Sequence, residues 1–310
     1  MISRRNIRVK VMQNLYTLDS TGNELLPGQA VSLLRNQIDQ SRQLFVYLVY
    51  FISEVARYAE KDAIKKASKH LPSQSDLNIN TKIVGNELLW KILEEPGYKE
   101  AVAEILPRFP ADEELLRKTY LALIESEEYQ DYIIVQERNR KSEKEILEFI
   151  FTNLMLPNDN FISHVEELFI NWEDDAEMMN VLIKNFLQKP ASFDFNEMIS
   201  KEKWDFAKSL LETTMDKKEV SMELLKPKLK NWDAERIAAL DLIIIQMGIS
   251  EFLFFETIPT KVTINEYIDL AKDYSTPQSG QFINGILDNI HKELTADGKI
   301  QKRNFRNSTL

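Results

Sequence analysis

The chain has no cysteine. Disulfides and thiolate metal sites are therefore excluded, and the composition suits a reducing compartment. Glycine is scarce, with eight in 310 residues and none between Gly97 and Gly248. So long a stretch without the usual turn residue argues for long helices over a turn-rich β fold. The three histidines, His70, His164 and His291, are scattered, and none has a metal-like partner four residues away. No glycine-rich phosphate loop, nucleotide fingerprint or nucleophile in triad context is present. Neither catalysis nor a cofactor or metal is expected. The acids Glu173, Asp174, Asp175 and Glu177 read as a solvated helix start, because carboxylates favour the N-terminal turn.

Long apolar runs are missing too. The longest, Leu44–Ile52, falls far short of the roughly 20 residues a spanning helix needs. The N-terminus M-I-S-R-R-N-I-R-V-K lacks the apolar core and small-residue cleavage site of a signal peptide. A cytoplasmic protein with no membrane partner is the expectation. Basic charge is also in deficit: the net charge is -10 and the isoelectric point about 5.1. A general nucleic-acid coat is basic, so any RNA binding must use a local patch.

What is present is helical periodicity, clearest from Asn231 to Leu294. A first helix is predicted from near Asp233, a good N-cap. Ile237, Leu240, Ile244, Met247 and Gly248 share one face, and Leu242, Ile243 and Ile245 make the other sides apolar, which marks a buried central helix. Asp241 interrupts that run. It is either solvated at a rim, as charges usually are, or set to meet a basic group on a partner. A second helix is predicted to open on the capping box Thr263-Ile-Asn-Glu266. The third is predicted to begin after Ser275-Thr-Pro277, proline being favoured in a first turn. Its apolar stripe is Phe282, Ile283, Ile286, Leu287, Ile290 and Leu294. Gly285 lies inside that stripe at a cost of about 1 kcal/mol against alanine, which points to close helix packing there.

At the other end, residues 3–18 form a helix beginning near Ser3. Ile7, Val11, Leu15 and Leu18 face a core, while Arg5, Arg8, Met12 and Tyr16 line an adjoining side. Arg4 and Arg5 oppose the helix dipole at roughly 0.3–1 kcal/mol each. Arg4, Arg5, Arg8 and Lys10 occur with no acid before Tyr16. This is either an ordinary solvated helix start or an RNA grip, with arginines on phosphates and Tyr16 stacked on a base.

Two sets of residues resemble the NusB family of bacterial transcription antitermination factors. One is W-D-x-E-R at Trp232–Arg236, P-x-K-V-x-I-N-E-x-x-x-L-A-K at Pro259–Lys272 and S-x-x-F-x-N-G-x-L-D at Ser279–Asp288. The other is S-R-R-x-x-R at Ser3–Arg8 with Q-x-L-Y at Gln13–Tyr16. Order and spacing agree with the family, and the resemblance covers residues 1–20 and 200–294. It implies an all-α fold: a NusB-like helical bundle with an additional inserted helical subdomain. It implies binding, not catalysis. Family members pair with NusE, a small-subunit ribosomal protein, and the pair binds the single-stranded boxA element of nascent RNA. With other Nus factors it keeps RNA polymerase elongating, notably on ribosomal RNA operons.

Carried over residue by residue, the RNA side comprises Arg4, Arg5, Arg8, Gln13 and Tyr16. Facing them are Gln278, Ser279, Gln281 and Phe282, with Lys261 nearby. The NusE side uses the central helix, with Asp241 where the family has a glutamate. Asn6, Gln278 and Gln281 depart from the family, which often has a basic residue, an acid and a lysine there. Fewer cations imply weaker RNA binding and a shallower salt slope, about −0.7 per phosphate on single strands.

Residues 30–195 form an insertion outside the resemblance. Ala30 to about His70 reads as one long helix or two, and the aromatic run L-F-V-Y-L-V-Y-F-I is helical because the period continues on both sides. Leu71–Thr81 is a polar linker. Further helices are predicted at about 82–95, 97–106, 112–129, 142–155, 160–172 and 175–187, with a capping box at Ser142-Glu-Lys-Glu145. The insertion packs as a neighbouring bundle, binds another factor, or assembles the protein with itself. Residues 204–230 carry two helices with Phe206, Leu210, Leu211, Leu224 and Leu225 in their core. The tail, residues 295–310, is basic at Lys299, Lys302, Arg303 and Arg306, and is expected to be mobile and to add at most non-specific RNA affinity. Two other readings remain: a protein-interaction scaffold that keeps the fold without specific RNA binding, and an RNA methyltransferase, which the lack of a cofactor-binding glycine motif disfavours.

Overall fold

A computed structural model describes residues 2–22, 27–71, 73–74, 79–229 and 237–302. Among the described residues there are fourteen α-helices and no strand. The all-α expectation holds. The chain divides into two compact units, one spanning residues 38–198 and the other Ile2–Gln37 with Ile199–Leu310.

The second unit contains α1 (Arg4–Thr21), the first turns of α2 (Pro27–Ala67), α10 (Lys201–Asp216), α11 (Lys218–Leu225), α12 (Ala239–Phe254), α13 (Thr260–Tyr274) and α14 (Ser279–Ala296). Its centre is α12, which packs against α1, α10, α11, α13 and α14. Every residue from Ile243 to Phe252 is buried, as the all-round apolar pattern predicts. The helix begins at Ala239, with Ile237 and Ala238 outside it. Asp233, and with it the Trp232–Arg236 motif, lies outside the described residues.

Glycine secures the close approach of these helices at Gly248, where an added Cβ would lie 2.9 Å from Leu287 Cδ2 and 3.5 Å from Tyr267 Cδ2. The expected close contact at Gly285 is corrected: nothing lies within 4 Å of a Cβ there, and the residue is exposed. The capping box at Thr263 is corrected as well. The helix starts one turn earlier, at Thr260 after Pro259, and Thr263 is fully buried within it.

The first unit contains the rest of α2 with α3 (Glu87–Glu94), α4 (Pro96–Ile105), α5 (Glu113–Glu125), α6 (Glu127–Ile134), α7 (Arg140–Phe149), α8 (Asp159–Leu168) and α9 (Trp172–Gln188). The aromatic run of α2 is helical and forms the core. Phe45 stacks on Phe193 and meets Phe186 edge-on, and Phe51 packs on Phe161. Side-chain caps set the boundaries, and these explain the departures from the predicted helices. Asn86 caps α3 and Ser126 caps α6, each splitting a segment predicted as one helix. Asn139, not Ser142, caps α7 and accepts from the Ser142 amide. α7 then continues into one π-helical turn, Ile150–Met155. Asp175, predicted to be solvated, is buried and accepts from Ser41 Oγ at 2.6 Å and Asn171 Nδ2 at 2.7 Å.

A candidate RNA and partner interface

Ser3 caps α1 and Asn6 returns the bond to the Ser3 amide. Asn6 thus gives up the basic charge found in the family and gains a cap. From Ile7 to Leu15 only Gln13 is not buried, so α1 is covered on most sides and presents side chains at its ends and at Gln13. Arg4 and Arg5 do so, each with its side chain 42% exposed. Arg4 pairs with Glu202 at 2.8 Å and lies over the Phe206 ring. Arg5 pairs with Asp273 at 2.8 Å and Asp269 at 3.6 Å. Both pairs are wet, and such pairs contribute only about 0–1 kcal/mol.

Arg8 is a correction. It was expected on the RNA face, yet it is buried. Its Nε and Nη2 each donate at 2.9 Å to the two oxygens of Glu251, and Nη1 lies 3.2 Å from Glu266. Glu251 is fully buried and also accepts from Thr263 Oγ1 at 2.7 Å and Tyr267 Oη at 3.1 Å. Burial and the Glu251 charge hold the Tyr267 phenol far above its ordinary pKa, so it stays a donor. Burial alone would lower the Arg8 pKa, but the hydrogen bond to Glu251 and the surrounding negative charge outweigh it and raise it. Arg8 therefore ties α1 to α12 and α13. A glutamate on an all-apolar helix, matched by an arginine on another, was the available sequence signal for this hub.

The pairs also fix direction. Arg5 meets Asp273 and Asp269, and Arg8 meets Glu266, so α1 and α13 run antiparallel. Lys272 pairs with Asp269 at 3.3 Å, and its Cγ lies 3.0 Å from where a Cβ on Gly280 would stand. Arg5 is thereby linked through α13 to the start of α14. There Gln278 and Gln281 are exposed and Phe282 is half-buried. Lys261 is exposed in the first turn of α13. Tyr16 is 46% exposed and falls on the Arg5 side of α1, because eleven steps of 100° return to within about 20°. Gln13 is half-buried, and its Nε2 has no hydrogen-bond partner among the described residues.

Ser279 and Asp241 leave the expected surfaces. Both are nearly fully buried. Asp241 Oδ1 accepts from Ser275 at 2.6 Å, and Oδ2 accepts from Ser279 at 2.8 Å. Within the chain Asp241 ties the α13–α14 turn to the first turn of α12. The tail is corrected up to Lys302, whose Nζ donates to the carbonyls of Glu251 at 2.9 Å and Phe255 at 2.7 Å. Arg303 and Arg306 lie outside the described residues.

Charge is divided between the units. Residues 38–198 hold 30 acids and 18 bases, net −12, and the rest of the chain holds 19 acids and 21 bases, net +2. The acidity of the whole chain thus belongs to residues 38–198. Among the described residues no group of three or more His, Asp or Glu is placed to hold a metal, and no helix is long and apolar enough to cross a membrane.

The unit is helical and built around a buried ion-pair hub, with exposed arginines at one helix end. The NusB family model matches residues 167–292. A transcription antitermination protein NusB of Thermodesulfovibrio yellowstonii is 32% identical over 162 residues, which is 50% of this chain and 93% of that protein. The NusB of Clostridium perfringens is 39% identical over 38% of this chain and 90% of its own length, and that of Salinibacter ruber 41% identical over 32% and 61%. No solved structure matches the chain at a significant level. The chain belongs to the NusB family of transcription antitermination factors, which are not enzymes.

Proposed function

We propose that this chain acts in antitermination by pairing with NusE and binding boxA-type single-stranded RNA, so sustaining transcription of ribosomal RNA operons with other Nus factors and RNA polymerase. The observation that carries this is the link from Arg5 through Asp269, Lys272 and Gly280 to the start of α14. It joins the two segments from which the family resemblance draws its RNA contacts. The RNA-facing set is Arg4, Arg5, Gln13, Tyr16, Lys261, Gln278, Gln281 and Phe282. Arg8, Ser279 and Asp241 hold those segments in place from within. A net charge of +2 outside the inserted unit removes the electrostatic objection raised by the whole-chain value.

Fluorescence anisotropy of a labelled boxA RNA tests this, titrated with the protein alone and with its cognate NusE, against a scrambled RNA competitor. Tighter binding with NusE and poor competition by the scrambled RNA are expected. Equal binding of both RNAs would favour the scaffold reading, which the concentrated acidity of residues 38–198 supports.

A further inference from the structure

The inserted unit carries a groove of about 650 Å³ between α6 and α7, running on to the π-helical turn. Its floor is apolar, made by Tyr132, Val135, Ile146 and Phe149. Its rims are acidic in a regular way. Glu128 and Asp131 stand three residues apart on α6, and Glu145 and Glu148 three apart on α7. Residues at that spacing share a helix face, so each wall presents a pair of carboxylates along the groove. On the α7 wall Lys144 already pairs with Glu148 at 3.1 Å and Lys141 with Glu145 at 3.8 Å, and Lys82 lies over the Tyr132 ring at 4.4 Å, which leaves Glu128 and Asp131 of α6 as the lining carboxylates without an ion pair among the described residues.

The apolar floor also reaches solvent. Val135 is 48% exposed and the neighbouring Ile134 73% exposed. An exposed aliphatic pair beside an apolar trough marks a surface that gains from being covered. The Glu128 and Asp131 carboxylates decide what can cover it, since an acidic ligand or a nucleic acid is repelled from that wall.

We propose that this groove docks a basic amphipathic segment of a partner protein, its apolar face on Tyr132, Val135, Ile146 and Phe149 and its lysines or arginines against Glu128 and Asp131 on the α6 wall. This is the helix-in-groove mode of recognition, with apolar anchors for affinity and rim charges for orientation and partner choice. It is independent of RNA binding in the other unit.

The test uses the full chain and a fluorescein-labelled 14-residue peptide of lysine and leucine at helical spacing, with a twin in which glutamate replaces lysine. The lysine peptide is expected to bind and the glutamate twin not to bind. Glu128→Lys/Asp131→Lys should weaken binding at least about tenfold, the scale of a pair of desolvated charge contacts. Glu166→Lys/Glu167→Lys, the same charge change at exposed positions of α8, should weaken it less than about twofold. Val135→Asp should weaken it with no change in the circular dichroism spectrum. Equal losses from the two lysine pairs would mean that only net charge acts, and would overturn the proposal. Binding of the glutamate twin would overturn it as well.

Discussion

Arg8 and Glu251 lie 243 residues apart in sequence and form a buried, bidentate ion pair with both contacts at 2.9 Å. Removing one partner of such a pair leaves the other charged in the interior, at a cost of about 3–5 kcal/mol. Arg8→Ala should lose about that much in chemical denaturation. Arg8→Met/Glu251→Gln should recover part of it, because no charge is stranded and the glutamine oxygen still accepts from one of Thr263 and Tyr267, which donate to different oxygens of Glu251. A double-mutant cycle showing no coupling would remove the pair from the fold's stability.

Much of the fold was readable in advance because it rests on local pattern. The period of α2 runs unbroken through its aromatic stretch, and the apolar surround of α12 marks a central helix. The family motifs fall on α1, α13 and α14. What escaped was decided by partners distant in sequence. Arg8, Ser279 and Asp241 look like surface polar residues until Glu251 and the α13–α14 turn are placed against them. Gly285 and Gly248 both sit in apolar helices, and only packing shows which one needs to be small. The caps of α3, α6 and α7 were missed because Asn86, Ser126 and Asn139 interrupt patterns that otherwise read as continuous.

Arg4 and Arg5 are the exposed cations of the α1 end, and their carboxylate partners are themselves exposed. Arg4→Glu/Arg5→Glu should weaken boxA RNA binding and lower the salt slope by about 1.4, two cations at about 0.7 each. The melting temperature should shift by no more than a few degrees, since exposed pairs contribute about 0–1 kcal/mol each. Unchanged RNA affinity would remove this helix end from the RNA face.

The two glycines give opposite outcomes for the same substitution. Gly248→Ala pushes a methyl against Leu287 and Tyr267, both fully buried, and should destabilise by about 1–3 kcal/mol. Gly285→Ala meets open space inside a helix and should stabilise by up to about 1 kcal/mol. Thermal melts of the two variants check both.

Both oxygens of Asp241 are occupied within the chain. Asp241→Ala removes the acceptor shared by the Ser275 and Ser279 hydroxyls, which keep only each other and Thr276 as partners, and should cost about 1 kcal/mol, with Asp241→Asn costing less because one acceptor remains. NusE affinity measured on the folded Asn variant should stay close to wild type. A large loss there with an unchanged melt would return Asp241 to the partner interface.

His164 couples the inserted unit to pH. Its ring nitrogen Nε2 lies 2.6 Å from Tyr47 Oη. Burial lowers the His164 pKa, with Asp112 and Glu167 pulling weakly the other way. Burial likewise raises the Tyr47 pKa, so its hydroxyl stays protonated beside the neutral ring. A histidine with a depressed folded pKa binds its proton more readily when unfolded. Stability therefore falls as pH drops through the ordinary histidine value, about 6.5, towards the lower folded one, and is unaffected by this group well above that window. Unfolding free energies of wild type and His164→Gln, measured by denaturant titration between pH 8 and pH 5, should have different slopes. The variant removes the titrating group, and its glutamine side chain can replace the ring as the hydrogen-bond partner of Tyr47. The wild-type curve should fall more steeply below about pH 6.5, and parallel curves would mean that the buried imidazole does not carry the linkage.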